Sequence, residues 1–339
     1  MAADAAGSVE SSMQGPLCEN CRRRGENCDL VWRFADATSF RIYSVACPSR
    51  WNDLGLLSYF ADVTSTYLAL VECKAWFWTV EVPRMAENMP FLLHGVSALS
   101  ALHIAENQSN YSSALSLSRK HFITASCQFR LMVNQIDTEN CVAIFAFVLI
   151  VSMIQFKCSC APSRLGLLSN YFDPMNVIGA LRGAAYLSKT LVPFVDKQSS
   201  FSTLFVQQTA PSSEQTKLAV KVITDQLNEL SSMPLDADNK AAATHLRFWI
   251  AGLGARPKGW LQLSWWPASV SPGYLSKLQQ SDPVALLLYT YWCLGLHSEY
   301  IEWFLNEYAQ QATRFVYSRL DSHYANMLDK TLQELQIVI

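Results

Sequence analysis

The residues with the clearest chemical spacing are three cysteines near the start of the sequence. Cys18, Cys21 and Cys28 follow the pattern C-x2-C-x6-C within the segment CENCRRRGENCD. Two thiolates separated by two residues can chelate one metal ion from a turn, and a third can return to that ion after a short helical segment. Three sulfur ligands leave one position of a tetrahedral site open. We therefore expect zinc binding only if a missing exon or a partner chain completes the cluster.

The same segment carries a short basic run, Arg22, Arg23 and Arg24, which could contact nucleic-acid phosphates or serve in nuclear import. Residues 1–33 nevertheless contain four arginines and five acidic residues, so their net charge is −1. A run of three cations is also common on a solvated surface. The sequence therefore predicts weak DNA binding by this segment alone.

Aromatic and histidine side chains are the second group of candidates. Ten tryptophans are present, and several fall in the last hundred residues, where they could line a pocket for a sterol-sized or polycyclic ligand. Ordinary core packing is the alternative for each tryptophan, and a hydrogen-bonded core position is the alternative for each histidine. The predicted pocket residues are Trp249, Trp265, Trp266, Trp292, His94 and His297.

The amino-acid composition excludes some classes of protein. The 339 residues carry a net charge of −2, which excludes a generally basic nucleic-acid coat protein. Apolar residues make up 50% and charged residues 16%, which favours a large buried core over disorder. No secretory signal is visible, so the ten cysteines indicate reduced thiols or metal ligands. No catalytic motif is found, and we expect a protein that is not an enzyme.

Helical periodicity dominates the chain from about residue 53 onward. We predict a disordered tail over 1–17, a partial cysteine cluster over 18–33, a linker over 34–52 and a helical domain over 53–339. The fold class is all-α, with nine to eleven helices. The apolar run Cys141 to Phe156 is too short to span a bilayer, so it predicts a buried core helix and no membrane span.

Three local signals predict where helices begin. Asp173 and Asp282 each precede a proline, which places a capping carboxylate before a residue suited to the first helical turn. Ser212 and Gln215 have the spacing of a capping box. Asp236-x-Asp238-Asn239 begins like a calcium loop, but it lacks the later glycine and glutamate, so we do not predict calcium binding.

Two parts of the sequence resemble the fungal binuclear zinc-cluster transcription factors. The segment from Pro16 to Leu30 is similar to the second half of their six-cysteine cluster, and the first half is missing. The helical segment FLLHGVSALSALHIA (91–105) and the later segment from Gly259 to His297, followed by Trp303-Phe304, resemble the regulatory domain of the sterol-uptake-regulator type.

The resemblance implies a nuclear regulator of RNA polymerase II genes in a sterol, lipid or secondary-metabolite pathway. Its all-α regulatory domain would sense a hydrophobic small molecule and form a homodimer or heterodimer, with possible retention in the cytoplasm. Because the first half of the cluster is missing, DNA binding by this chain alone is an open question. The alternative is a family member without DNA binding, recruited as a co-regulator or as a biosynthetic-cluster protein that acts on an apolar metabolite.

Overall fold

The computed structural model of the protein describes residues 53–68, 76–107, 111–160, 172–191, 194, 213–253, 259–299, 302–305 and 307–337. These residues form thirteen α-helices and no strand, which confirms the predicted all-α class. The helices exceed the predicted nine to eleven. Two of them, Val82–Ala86 and Pro272–Gln279, have only five and eight residues, which is too short for helical periodicity to reveal them.

The helices are numbered here in chain order. They are α1 (Asp53–Asp62), α2 (Val82–Ala86), α3 (Pro90–Asn107), α4 (Tyr111–Met132), α5 (Cys141–Cys160), α6 (Pro174–Leu191), α7 (Glu214–Ser231), α8 (Ala237–Ala251), α9 (Trp260–Ser269), α10 (Pro272–Gln279), α11 (Pro283–Glu299), α12 (Tyr308–Tyr317) and α13 (Ser322–Leu335). A 3-10 helix (Thr64–Tyr67) follows α1, and a π-helix (Phe77–Glu81) leads directly into α2.

Two of the three predicted helix starts are confirmed. The carboxylate of Asp173 accepts a hydrogen bond from the backbone N–H of Met175, and that of Asp282 accepts one from Ala285, both at 2.9 Å. The predicted capping box was wrong by one residue, because Ser213 rather than Ser212 is the N-cap of α7. Its hydroxyl accepts the N–H of Thr216 at 3.0 Å.

Helices α3 and α4 form an antiparallel hairpin. Three contacts give its direction: Phe91 packs on Phe129, His94 meets His121, and the Ser118 hydroxyl donates to the carbonyl of Ala98 at 2.7 Å. Along these three contacts the residue numbers increase in α3 and decrease in α4, so the two helices run in opposite directions. The inner faces of both helices are apolar, so the hairpin buries them against each other.

Helix α5 is a central element of the core. Its length and composition would suit a membrane crossing, but 89% of its most apolar window is buried within the fold. It packs against α3, α6 and α12, and aliphatic and aromatic residues occupy all of its faces. A helix that is apolar all round requires neighbours all round. The predicted buried core helix is therefore confirmed.

Helix α11 is the second central element, and it carries much of the aromatic core. All its side chains from Val284 to Leu296 are buried, apart from Gly295, which has none. It packs against α7, α8, α10, α12 and α13. At Gly295 an added Cβ would lie 2.8 Å from the ring of Trp249 and 2.9 Å from Ile250, so this glycine permits the close approach of α8.

Candidate functional site

The predicted metal and DNA-binding residues lie outside the described part of the chain. This applies to Cys18, Cys21 and Cys28 and to the run from Arg22 to Arg24, so their predictions stay predictions. Within the described ranges, no group of three or more His, Cys, Asp or Glu side chains is arranged to hold a metal ion. The five cysteines of those ranges are free thiols.

Three of the predicted pocket tryptophans meet in the core. Trp292 of α11 lies between Trp249 of α8 and Trp266 of α9, with ring centroids 6.5 and 5.7 Å apart, and each side chain is at most 2% exposed. The indole N–H groups of Trp249 and Trp266 donate to backbone carbonyls of Gln262 and Ala242. The rings pack directly against one another, so they fill the space that a ligand would need.

Trp265 does not join this cluster. Trp265 and Trp266 are neighbours on α9, and neighbouring side chains of an α-helix are about 100° apart around the helix axis. The half-buried ring of Trp265 packs on Phe248, which is 53% exposed, and on His245 of α8. Two adjacent tryptophans therefore have different environments, one in the core and one at the surface.

The two predicted pocket histidines lie elsewhere. His297 is exposed near the end of α11. His94 of α3 meets His121 of α4, with their Nδ1 atoms 3.0 Å apart. The ring centroids are 5.2 Å apart. This is nearly the greatest centroid distance that is compatible with a nitrogen separation of 3.0 Å, so the two Nδ1 atoms point at each other. A metal ion in line between the two nitrogens would require them to be about 4 Å apart, since each metal–nitrogen bond is about 2 Å long. One imidazole N–H therefore donates to the other ring.

A small cavity lies between α5, α6 and α9. It has a volume of about 10 Å³, which is room for a single water molecule. None of the six predicted pocket residues lines it. The indole Nε1 of Trp260, one of its lining residues, is buried without a hydrogen-bond partner. Its lining includes Phe145, Leu149, Leu181, Ala184, Trp260 and Ser264.

Sequence reasoning missed a polar cluster around His103. This buried histidine stacks on Trp303 with centroids 4.6 Å apart and 27° between the rings, and the edge of Tyr67 faces it at 5.3 Å. Its Nδ1 lies 3.1 Å from the Thr64 hydroxyl. Burial lowers the pKa of His103, so its neutral form is favoured. The sequence placed this histidine on an apolar helix, but its partners come from segments far along the chain.

A second buried cluster contains phenol and thiol groups. The hydroxyls of Tyr289 and Tyr308 are hydrogen-bonded to each other. Burial raises the pKa of Cys293 far above its ordinary value and that of Cys160 to about 12. Both thiols are therefore protonated at neutral pH, and a protonated thiol is a poor nucleophile.

No model of a known protein family matches the sequence, and no curated protein matches it.

Proposed function

We propose that this chain is a transcription regulator of the fungal zinc-cluster type, which acts in the nucleus through an all-α ligand-sensing and dimerisation domain. The observation that carries the proposal is the order of the two parts: a C-x2-C-x6-C segment with three arginines precedes a large helical body. The thiolates of Cys18, Cys21 and Cys28 would hold zinc together with a further ligand. Arg22, Arg23 and Arg24 would contact DNA phosphates.

The ligand of the helical domain is proposed to be a hydrophobic small molecule. The tryptophan cluster offers no space for it, so the proposed site is the cavity between α5, α6 and α9. Trp260 lines this cavity, and its indole N–H is buried without a hydrogen-bond partner, as are those of Trp292 and Trp303. A ligand oxygen that reached the Trp260 N–H would satisfy this donor. The cavity holds about one water, so a lipid-sized ligand requires α6 or α9 to move.

A gel-shift titration tests the DNA-binding part of the proposal. The full chain, loaded with zinc, is mixed at low salt with duplexes that contain CGG, and its zinc content is measured in parallel. We expect a shifted band that is lost in Cys21→Ser and weakened at higher salt, because phosphate contacts release counterions. Cys127→Ser is the matched control, because Cys127 is an exposed thiol outside the C-x2-C-x6-C motif.

The absence of a shift with every CGG duplex would overturn direct DNA recognition. The alternative role, that of a co-regulator or a protein acting on an apolar metabolite, would then be the one to pursue. Its test is a change in product profile when the purified chain is added to apolar pathway intermediates. An unchanged profile would argue against it.

A further inference from the structure

The hydrogen bond between His94 of α3 and His121 of α4 depends on how many protons the two imidazoles carry. Their Nδ1 atoms are 3.0 Å apart, so one of these nitrogens donates its proton to the lone pair of the other. One added proton can bind to Nε2 of the donor ring, and the hydrogen bond is then retained. A second added proton must bind to the accepting Nδ1. The hydrogen bond is then lost, and two positive charges face each other.

The pair lies beside the aromatic contacts of the α3–α4 hairpin. Phe91 comes about one turn before His94, and Phe129 comes about two turns after His121. The rings of Phe91, Phe129 and Phe147 of α5 pack on one another, with centroid distances from 4.7 to 5.9 Å. Helix α4 packs mainly against α3. Separation of the two imidazoles therefore loosens the contact that holds α4 in place.

The charges that α4 places near the pair are positive. Arg119 and Lys120 are exposed and come just before His121, and Arg130 lies more than two turns after it. The helix has no acidic residue. An imidazolium at His121 therefore has cations as its charged neighbours along the helix, which opposes a second proton on the pair.

The other elements packed against α3 are α1, α2, α5 and the 3-10 helix. Arg84 of α2 and Glu87 of the turn after it are exposed. The single charged residue of α5, Lys157, is paired with Glu106, which lies about 18 Å from His94 along α3. Within the described ranges, no ion pair compensates a charge on the ring of His94. The remaining titratable residues of these elements are Asp53, Tyr59, Asp62, Tyr67, His103, Cys141, Cys158 and Cys160.

We infer that the His94–His121 pair is a proton-sensitive clasp between α3 and α4. It stays closed when the pair carries no added proton or one, and it opens when both imidazoles are protonated. The open form binds one proton more than the closed form, so opening is favoured as the pH falls below the ordinary histidine value of about 6.5. In acid, α4 then separates locally from α3. This pH response goes beyond the proposed function, because it requires neither zinc nor DNA.

Hydrogen–deuterium exchange of the full chain, followed by mass spectrometry, tests the clasp. It is measured at about pH 7.5 and about pH 5.5, on either side of the ordinary histidine value, with exchange times scaled for the intrinsic rate. We expect the protection of α4 to fall about tenfold at the lower pH relative to α11, because one proton changes the opening equilibrium about tenfold per pH unit. An unchanged protection of α4 would overturn the inference.

Two glutamine variants test the role of the pair. The amide of His94→Gln can donate to a neutral His121 or accept from a protonated one, so α4 should lose its acid response and keep its protection at neutral pH. His121→Gln should give the same loss and serves as a second, independent variant. His323→Gln is the matched control, because this histidine is exposed on α13. An acid response of wild-type size in both pair variants would contradict the clasp.

A third variant separates the clasp from the other buried histidine of α3. The acid response of α4 should persist in His103→Gln, and its loss there would assign the response to His103 and overturn the inference. The dye 1-anilinonaphthalene-8-sulfonate gives a second measurement, because it binds apolar surface that becomes exposed. Its fluorescence should increase at the lower pH with the wild-type chain and with His103→Gln, but not with His94→Gln. Equal increases in all three proteins would also contradict the clasp.

Discussion

Lys157 of α5 and Glu106 of α3 form a salt bridge across the core, with 2.9 Å between Nζ and Oε1. The Lys157 side chain is 7% exposed and that of Glu106 is 22% exposed. Lys157 is the single charged residue of α5, and it lies in a helix that is otherwise apolar or weakly polar. Because a charge in such surroundings requires a partner, Glu106 fixes the position of α3 relative to α5.

Removing the carboxylate is therefore expected to destabilise the fold more than removing the lysine. Glu106→Gln leaves a buried ammonium without its counter-charge and should cost about 3 kcal/mol in the free energy of unfolding. Lys157→Met leaves a carboxylate that still reaches water, so its cost should be smaller. The double variant should recover part of the loss of Glu106→Gln. Urea unfolding measures all three.

The matched control for this pair lies on the surface. Lys217 and Glu214 are 2.6 Å apart but 60% and 89% exposed, so Lys217→Met should change the free energy of unfolding by less than about 0.5 kcal/mol. A similar loss in both lysine variants would show that burial does not govern the contribution of the Lys157 pair.

Adjacent tryptophans of α9 give a second matched pair. Trp266 is fully buried and its indole N–H donates to the carbonyl of Ala242 at 3.1 Å, so Trp266→Ala should cost about 3 to 5 kcal/mol. Trp265 is half-buried beside Phe248, and Trp265→Ala should cost about 1 kcal/mol or less. Chemical denaturation followed by circular dichroism separates the two, and equal losses would contradict the orientation of α9.

The contact between α8 and α11 predicts the effect of adding one methyl group. In Gly295→Ala the new Cβ would lie within 3 Å of both Trp249 and Ile250, so we expect a loss of about 1 to 3 kcal/mol from overpacking. Gly183→Ala, at a half-buried position of α6, should be neutral or slightly stabilising because alanine favours the helix. Thermal unfolding checks both, and a neutral Gly295→Ala would exclude this close packing.

The environment of His103 predicts a pH dependence of stability. Burial lowers its pKa in the folded state below the ordinary value of about 6.5, so the unfolded state binds the proton first as the pH falls. The free energy of unfolding should therefore be greatest above that value and decrease as the pH falls below it. His103→Gln should lower this dependence between about pH 7 and pH 5. An unchanged slope in the variant would contradict the assignment to His103.

Local signals explain why part of this fold could be predicted. Asp173 and Asp282 cap the first turns of their own helices, and an unbroken apolar run such as that of α5 indicates a buried helix. These features depend on residues that are close in the sequence, so they could be predicted from it. Asp236 and Asp238, which begin like a calcium loop, instead lie at the start of α8, where Asp236 accepts the N–H groups of Asp238 and Asn239.

The residues of the candidate site meet through long-range contacts, which local sequence patterns do not reveal. His94 and His121 are 27 positions apart, and they meet only because α3 and α4 fold back as a hairpin. Likewise, the density of tryptophans indicated a cluster, but its packing left no space between the rings of Trp249, Trp266 and Trp292. Whether an aromatic group lines a pocket or fills it is decided by the positions of whole helices.

The proposed function assigns zinc-dependent DNA binding to the cysteine segment once a further ligand completes its zinc site. Its most direct test is a fluorescence anisotropy titration of a labelled CGG duplex with the zinc-loaded full chain, beside the Cys21→Ser variant. The account predicts saturable binding by the wild-type chain that chelation of zinc abolishes and that the variant lacks. Absence of binding at low salt, or equal binding by both proteins, would contradict it.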